Sequence, residues 1–296
     1  MIWHTGKTLP LRLAAESTPL VELQFPTFVP TLTEPPARPH IHAEVGRYRM
    51  RLAETAVDRE AACRLRFKVF NIELGEGLES SYENGLDTDQ FDAICEHLLV
   101  EDKLDRKIVG TYRMQSGTTA AANRGYYSEQ EFSFAPYEPL RPGILELGRA
   151  SIDREHRTPE VLTLLWRGIA QYATDMGLRY LVGCSSMNSK NPADGWSMFD
   201  QLKRFLVDPA FQTEPTPAFA CPIGQEGVLA QTQSSTEDSQ PVKVPKLLKT
   251  YMAIGARICG APAWDRGFGT IDFLTLLDLK TISPSARNRF LAPLAR

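Results

Sequence analysis

The sequence predicts an α/β (α+β) domain of three layers over about residues 45–280, with a central mixed β-sheet flanked by helices. Three observations lead there. Apolar runs of strand length alternate with longer stretches of helical period. A composition of 43% hydrophobic and 23% charged residues in 296 is that of an ordinary globular chain, which excludes collagen-like, wholly disordered and disulfide-scaffold classes. No apolar run approaches the ~18 residues that a membrane span requires.

Residues 1–44 contain seven prolines and no sustained hydrophobic period, so they read as an irregular Pro-rich N-terminal arm. RYRMRLA (47–53) reads as a strand, and 56–70 as a helix with Val57, Ala61, Leu65 and Val69 on one side. HLLVED (97–102), KIVGTYRM (107–114) and ILELGRASI (144–152) are further strands. A helix follows over 159–176, with Thr158 as cap, Pro159 in the first position and Gly177 to end it. RYLVGCSS (179–186) and a helix over 192–206 complete a core at 45–210. Residues 211–240, rich in Gln, Ser, Thr and Pro and without Lys or Arg, read as a flexible polar loop. The stretch 241–280 returns to the same domain as a helix, a strand and the buried strand TIDFLTLLDL (270–279), before a basic tail at 281–296. There is no internal repeat.

The five cysteines are far apart and form no CxxC, so they read as free thiols, with neither a zinc site nor a disulfide framework. The N-terminus lacks the apolar core of a secretion signal. Both point to a cytoplasmic protein, with peripheral contact at the inner face of the membrane as a further expectation. The net charge of −3 is unevenly distributed: residues 71–105 carry −10 and residues 241–296 carry +6. Such runs are often plain solvated surface; the functional alternative is an acidic pocket rim for a cationic small molecule and a basic face for an acidic protein or anionic lipid.

Familiar site signatures are absent: no GxGxxG, GxxxxGK[ST], GxSxG or HExxH, no metal-ligand spacing, and no Arg–aromatic interleaving of the kind nucleic acid requires. His97 and Asp102 spell H-x4-D, but an odd offset along a strand sends them to opposite faces. A stronger constellation lies in three strings. LRFKVF puts Arg66 and Phe70 one helical turn apart, DTDQFD puts Asp89 and Asp92 around Phe91, and ILELGRA puts Glu146 and Arg149 in an otherwise apolar or small strand. A charge in a buried strand is costly unless paired or functional, and an Arg113–Glu146 salt bridge is the plain structural alternative. Gly148 between Glu146 and Arg149 marks a candidate bulge that brings the two closer.

These strings, with IVGTYRM, GYYSEQEF, LLWRGIAQY, YLVGCSS, LLKTYMAIGARICGAPAWD and FGTIDFLTLLDL, resemble the GNAT-fold N-acyltransferases that make lyso-ornithine lipid and other N-acyl amino acids, often labelled hemolysins. A more distant resemblance is to acyl-homoserine-lactone synthases, whose R-x3-F, D-x-x-D and E-x-x-R fall on Arg66 and Phe70, Asp89 and Asp92, and Glu146 and Arg149, with Arg113 on another shared arginine. The resemblance implies a GNAT-like fold and a site in which Arg66, Phe70, Arg113 and Arg149 bind substrate. It implies transfer of a (3-hydroxy)fatty acyl group from a thioester to the α-amine of an amino acid, ornithine first. No tightly bound cofactor is implied; the co-substrate is the phosphopantetheine thioester of acyl carrier protein, or acyl-CoA. REHRTPEVL, where GNAT proteins hold a glycine-rich pyrophosphate loop, has no glycine, which favours the carrier protein as donor and partner. Arg154 and Arg157 are then placed to meet the pantetheine phosphate.

On this reading Glu146 is the base that deprotonates the amine, Asp89 and Asp92 hold a cationic acceptor, and a separate O-acyltransferase acts downstream if a di-acylated lipid is made. A homoserine-lactone synthase or a non-enzymatic membrane-active protein are the alternatives left open.

Overall fold

Strand β2 (Tyr48–Leu52) alternates buried Tyr48, Met50 and Leu52 with half-buried Arg49 and Arg51, and this period of two sets one packed face of the sheet. The computed structural model describes residues 37–223 and 242–290. In chain order, β1 (His42–Val45) and β2 lead into α1 (Ala56–Phe67), which continues as a π-helical segment over Lys68–Leu74. Strands β3 (Glu96–Asp102) and β4 (Lys107–Ser116), the short α2 (Gly117–Ala122) and β5 (Ile144–Ile152) follow. Then come α3 (Pro159–Asp175), β6 (Tyr180–Met187), α4 (Pro192–Leu202), α5 (Lys246–Ile254), β7 (Arg257–Ile258), β8 (Ala263–Asp265), β9 (Thr270–Asp278) and α6 (Pro284–Phe290).

The sheet order is β1-β2-β3-β4-β5-β6-β9-β7, with β8 also on β9. Every pairing is antiparallel except β5 with β6. Neighbouring residues of β3 face opposite layers: Leu98 and Val100 pack with Val161, Leu165 and Ile169 of α3, whereas Leu99 packs with Ala62 of α1. This gives helix, sheet and helix in three layers. Gly168 lets α3 lie close to the sheet, since a Cβ there would sit 2.5 Å from the Met50 sulfur. The α3 ends form as the sequence indicates: Thr158 accepts from the Val161 N–H, and Gly177 at φ +66° ends the helix region.

The boundaries differ in three places. Strand β1 begins at His42, inside the Pro-rich arm, because Ile41 and Ala43 reach the core; residues 1–36 lie outside the described residues. Residues 211–223 of the polar loop are packed rather than loose, with Thr213 and Cys221 buried and bridges Thr213–Gly260 and Ala220–Ala263; 224–241 lie outside the described residues. The basic tail contributes α6, whose Ala286 is buried; 291–296 lie outside the described residues. The five cysteines are free, and His97 and Asp102 go to separate partners, the Asp92 carbonyl and Arg47.

Candidate active site

Helix α1 starts at a capping box between Thr55 and Asp58, and its last turn carries Arg66 inward, fully buried. A buried guanidinium requires anionic partners for its five N–H groups. Its Nε donates to Asp87 Oδ2 at 2.8 Å, and Nη1 and Nη2 donate to the two oxygens of Asp92 at 2.7 and 2.9 Å. Arg113 of β4 donates to Asp89 Oδ1 at 2.6 Å and to Asp92 Oδ1 at 3.1 Å. Arg149 of β5 donates to Asp89 Oδ2 at 3.1 Å. Three arginines and three aspartates thus form one network, and five of its six members are residues the sequence singles out; Asp87 is the addition. Burial alone pushes Asp92 and Asp89 up; the guanidiniums of Arg66 and Arg113 at Asp92, and of Arg113 and Arg149 at Asp89, overcome it and hold both carboxyls below the usual carboxylate range.

Arg149 occupies the left-handed region at φ +52°, and the β4–β5 register slips there: Arg113 faces Gly148 while Thr111 faces Ser151. The bulge therefore falls beside Gly148 and turns the Arg149 side chain toward Asp89, over the Tyr127 and Phe268 rings at 5.0 and 4.6 Å. Phe70, on the π-helical segment, meets the Phe268 ring edge-on at 5.4 Å.

Glu146 forms no ion pair with the three arginines, which are taken by the aspartates. It accepts from the Tyr127 N–H (2.9 Å), the Ser128 N–H (2.7 Å) and the Ser128 hydroxyl (2.6 Å). The Arg113–Glu146 salt bridge does not form; Arg113 is held by the aspartates. Burial raises the Glu146 carboxyl, and these three donors pull it back only in part. Three donors on a carboxylate with about four acceptor sites leave one for a substrate amine or water.

Beyond Glu146 the sheet opens. Strands β5 and β6 pair only at Ile144–Tyr180, Leu145–Leu181 and Glu146–Val182, whereas β6 follows β9 on to Met187. Gly183 sits where they part: a Cβ there would meet the Leu147 carbonyl oxygen at 2.2 Å. Next to the parting lies a cavity of about 820 Å³ that reaches Glu146, Arg149 and Phe70. Tyr112, Trp166, Leu181, Leu248, Tyr251 and Leu277, which belong to or pack on the main core, line part of it. Glu76, Glu131, Asp194, Asp265 and Asp272 also line it. Burial and the nearby Asp272 push the Glu76 carboxyl up to about 7, and burial pushes Glu131 far up and Asp272 up to about 6.

The geometry is matched by relationships of sequence. A model of the GNAT acetyltransferase domain family matches residues 65–167. An L-ornithine N(alpha)-acyltransferase of Agrobacterium fabrum (strain C58) is 31% identical over 252 residues, covering 82% of this chain and 85% of the relative. The enzyme of the same name from Brucella abortus (strain 2308) is 31% identical over 257 residues, covering 82% and 88%. The chain belongs to the L-ornithine N(alpha)-acyltransferase family. It is an acyltransferase of GNAT-like fold. The fold also resembles that of an N-acyl amino acid synthase from uncultured soil microbes, at TM-score 0.48 and 12% identity over 83% of this chain and 97% of that one.

Within this member of the family, the remaining sequence-derived residues lie at the start of α3. Arg154 is exposed, and Arg157 is paired with Glu73 of the π-helical segment. Lys68 and Asp153 form a second tie alongside it at 2.6 Å. The acidic stretch 71–105 is largely neutralised: Glu73, Asp87, Asp89, Asp92, Glu96, Glu101 and Asp102 all pair with arginines. Of the acids of that stretch the cavity takes only Glu76; beside Glu146 its other acids are Glu131, Asp194, Asp265 and Asp272, none of which the sequence singles out. Asp272 carries the same signal as Glu146, a lone acid in an apolar strand. Among the described residues no helix is long and apolar enough to cross a membrane.

Proposed function

We propose that this acyltransferase moves a (3-hydroxy)fatty acyl group from the phosphopantetheine thioester of acyl carrier protein to the α-amine of ornithine. The observation that carries the reading is the cavity itself: one space joins an apolar wall fit for an acyl chain, a free acceptor site on Glu146 and a set of acids fit for a cationic amino acid. An amine protonated at neutral pH is no nucleophile, so the site must first take its proton. Glu146 does so, directly or through one water, on the acceptor site its three donors leave open. The amine nitrogen then attacks the thioester carbonyl and an N–C bond forms; the C–S bond breaks, and the second proton lost from nitrogen passes to sulfur, so the pantetheine leaves as a thiol. An N–H group bared where β5 and β6 part steadies the oxyanion, an interaction worth roughly 2.7–4 kcal/mol per donor.

Asp89 and Asp92 take part at one remove. Their oxygens are held by Arg66, Arg113 and Arg149, so their work is to fix the Arg149 bulge and the Phe70 wall rather than to grip a cation. The donor is a carrier protein because the α3 N-terminus lacks the glycine loop that would cradle a pyrophosphate, while exposed Lys243, Lys246 and Lys249 beside the cavity suit an acidic partner. Arg154 and Arg157 face the single phosphate of the pantetheine arm. No divalent ion or resident cofactor is called for, and peripheral docking at the membrane would follow from the same basic face.

The test is purified protein with 3-hydroxyacyl carrier protein and a panel of amino acids, read by mass spectrometry. N-acylornithine is the expected product, and no N-acyl product with any acceptor overturns the reading. Glu146→Gln is expected to lower kcat roughly 10²–10⁴-fold with KM little changed; full turnover would remove Glu146 as base.

A further inference from the structure

Glu131, Asp265 and Asp272 are given no individual role in the proton and acyl transfer described above, yet they face the same cavity. One oxygen of each lies within 4.8 Å of the others. They come from three places: Glu131 follows the turn Tyr127–Gln130 that Glu146 holds, and Asp265 and Asp272 face in from the β8–β9 hairpin. Glu131 is 1% exposed, and neither of its oxygens accepts a well-formed hydrogen bond from an N–H or hydroxyl; Asp272 is 3% exposed, and its Oδ1 is likewise bare. The polar neighbours of Glu131 are the Asp272 carboxyl and the Cys184 thiol. Asp265 is better satisfied, accepting from the Phe268 N–H at 2.8 Å.

Among the described residues no arginine, lysine or histidine forms an ion pair with any of the three, although every acid of the Arg66 network has one. Three buried acids without a cation are costly to keep, and a bound cation relieves that cost. The position also fits. The Ser128 hydroxyl donates to Glu146, the Cys184 thiol donates to Ser128 Oγ at 3.5 Å, and Cys184 adjoins Glu131. Two small side chains in contact, Ser128 and Cys184, thus link Glu146 to Glu131. An ornithine whose α-amine lies at Glu146 carries a second nitrogen about 6 Å away along its extended side chain, judged from ordinary bond lengths.

We infer that Glu131, Asp265 and Asp272 form the subsite for the side-chain ammonium of the acceptor. The inference rests on the reading that the acceptor is a cationic amino acid, and it assigns the specificity of that reaction to residues outside the Arg66 network. An ammonium offers three N–H donors to oxygens arranged around it, and its charge favours the ionised form of the carboxyls it meets. An acceptor with the same carbon chain but no terminal amine, norvaline, leaves the acids as they are in the empty protein.

The experiment compares kcat/KM for ornithine and for norvaline in the wild type, in Asp272→Asn and in Glu131→Gln/Asp272→Asn. The expected result is a fall of roughly 10–100-fold in the ornithine-to-norvaline ratio per carboxylate, expressed mainly in the KM for ornithine. A structural role alone would lower both substrates together and would lower Tm; here Tm is expected to hold or rise. An unchanged ratio in folded variants overturns the inference, as does one equivalent of divalent metal that survives desalting in the wild type and is lost in the variant. If no acceptor is acylated by the wild type, the function reading falls by itself. The subsite is then judged by whether ornithine raises the Tm of the wild type and not of the variant, and no such shift overturns it.

Discussion

Two sets of buried carboxyls in this molecule are perturbed in opposite directions, and stability should register both. Asp89 and Asp92, despite burial, are held low by Arg66, Arg113 and Arg149. Their contribution is present above the ordinary carboxylate range, near pH 4, and is lost as pH falls below it. Asp272 is raised by burial to about 6 and Glu131 is raised far above its ordinary value by burial and by Asp272. Their contribution is complete below about pH 4 and is lost as pH climbs through the raised values. Thermal melts of the wild type between pH 4 and 7 should show that loss, on the order of 1–3 kcal/mol, while Glu131→Gln/Asp272→Asn should flatten it. An unaltered slope in the variant would show that the acids carry normal carboxyls. Sequence reading reaches the first set because each member sits in a short charged motif, DTDQFD or E-x-x-R. It misses the second because Glu131 is far in the chain from Asp265 and Asp272, and those two lie in no charged motif. Only the hairpin of β8 and β9 against β6 brings them together, and no local pattern encodes that.

At the scale of elements, the close approach of β5 and β6 just beyond Glu146 depends on one position without a side chain. Gly183→Ala sets a methyl against the Leu147 carbonyl oxygen. It should cost about 1–3 kcal/mol by forcing the strands apart and should impair acyl transfer. Gly148→Ala is the contrast, since a Cβ there meets nothing within 4 Å and its φ is not positive; its Tm should stay close to that of the wild type. Equal melts for the two would refute the tight approach. Strands and long helices are legible in the sequence because burial repeats at two or 3.6 residues, and caps such as Thr158 mark their ends. The bulge is half legible. Gly148 suggests it, but the left-handed residue is Arg149, held there by Asp89 across the site. The packing of 211–223 is not legible, for its composition is that of a loop and its order comes from scattered contacts such as Thr213 with Gly260.

For the whole molecule, the separation of charge along the chain misstates the charge seen by a ligand. The acid-rich segment is mostly neutralised by arginines drawn from α1, β2, β4, β5, the start of α3, the β1–β2 turn and the segment before β1. The basic C-terminal segment keeps exposed Lys243, Lys246 and Lys249. Lys246→Glu/Lys249→Glu should reduce kcat/KM with an acyl-carrier thioester roughly tenfold or more at low salt, converging with the wild type near 1 M, where screening is complete within about 3 Å. An acyl-pantetheine thioester should be used equally well by both proteins; a matching loss there would place these lysines in the chemistry instead of the docking. The seam between β5 and β6 adds a mechanical consequence. Three rungs join β5 to β6, against eight between β6 and β9, so fewer main-chain pairings oppose a change of angle at that seam than at the next one. Such a change would alter the girth of acyl chain that the cleft admits.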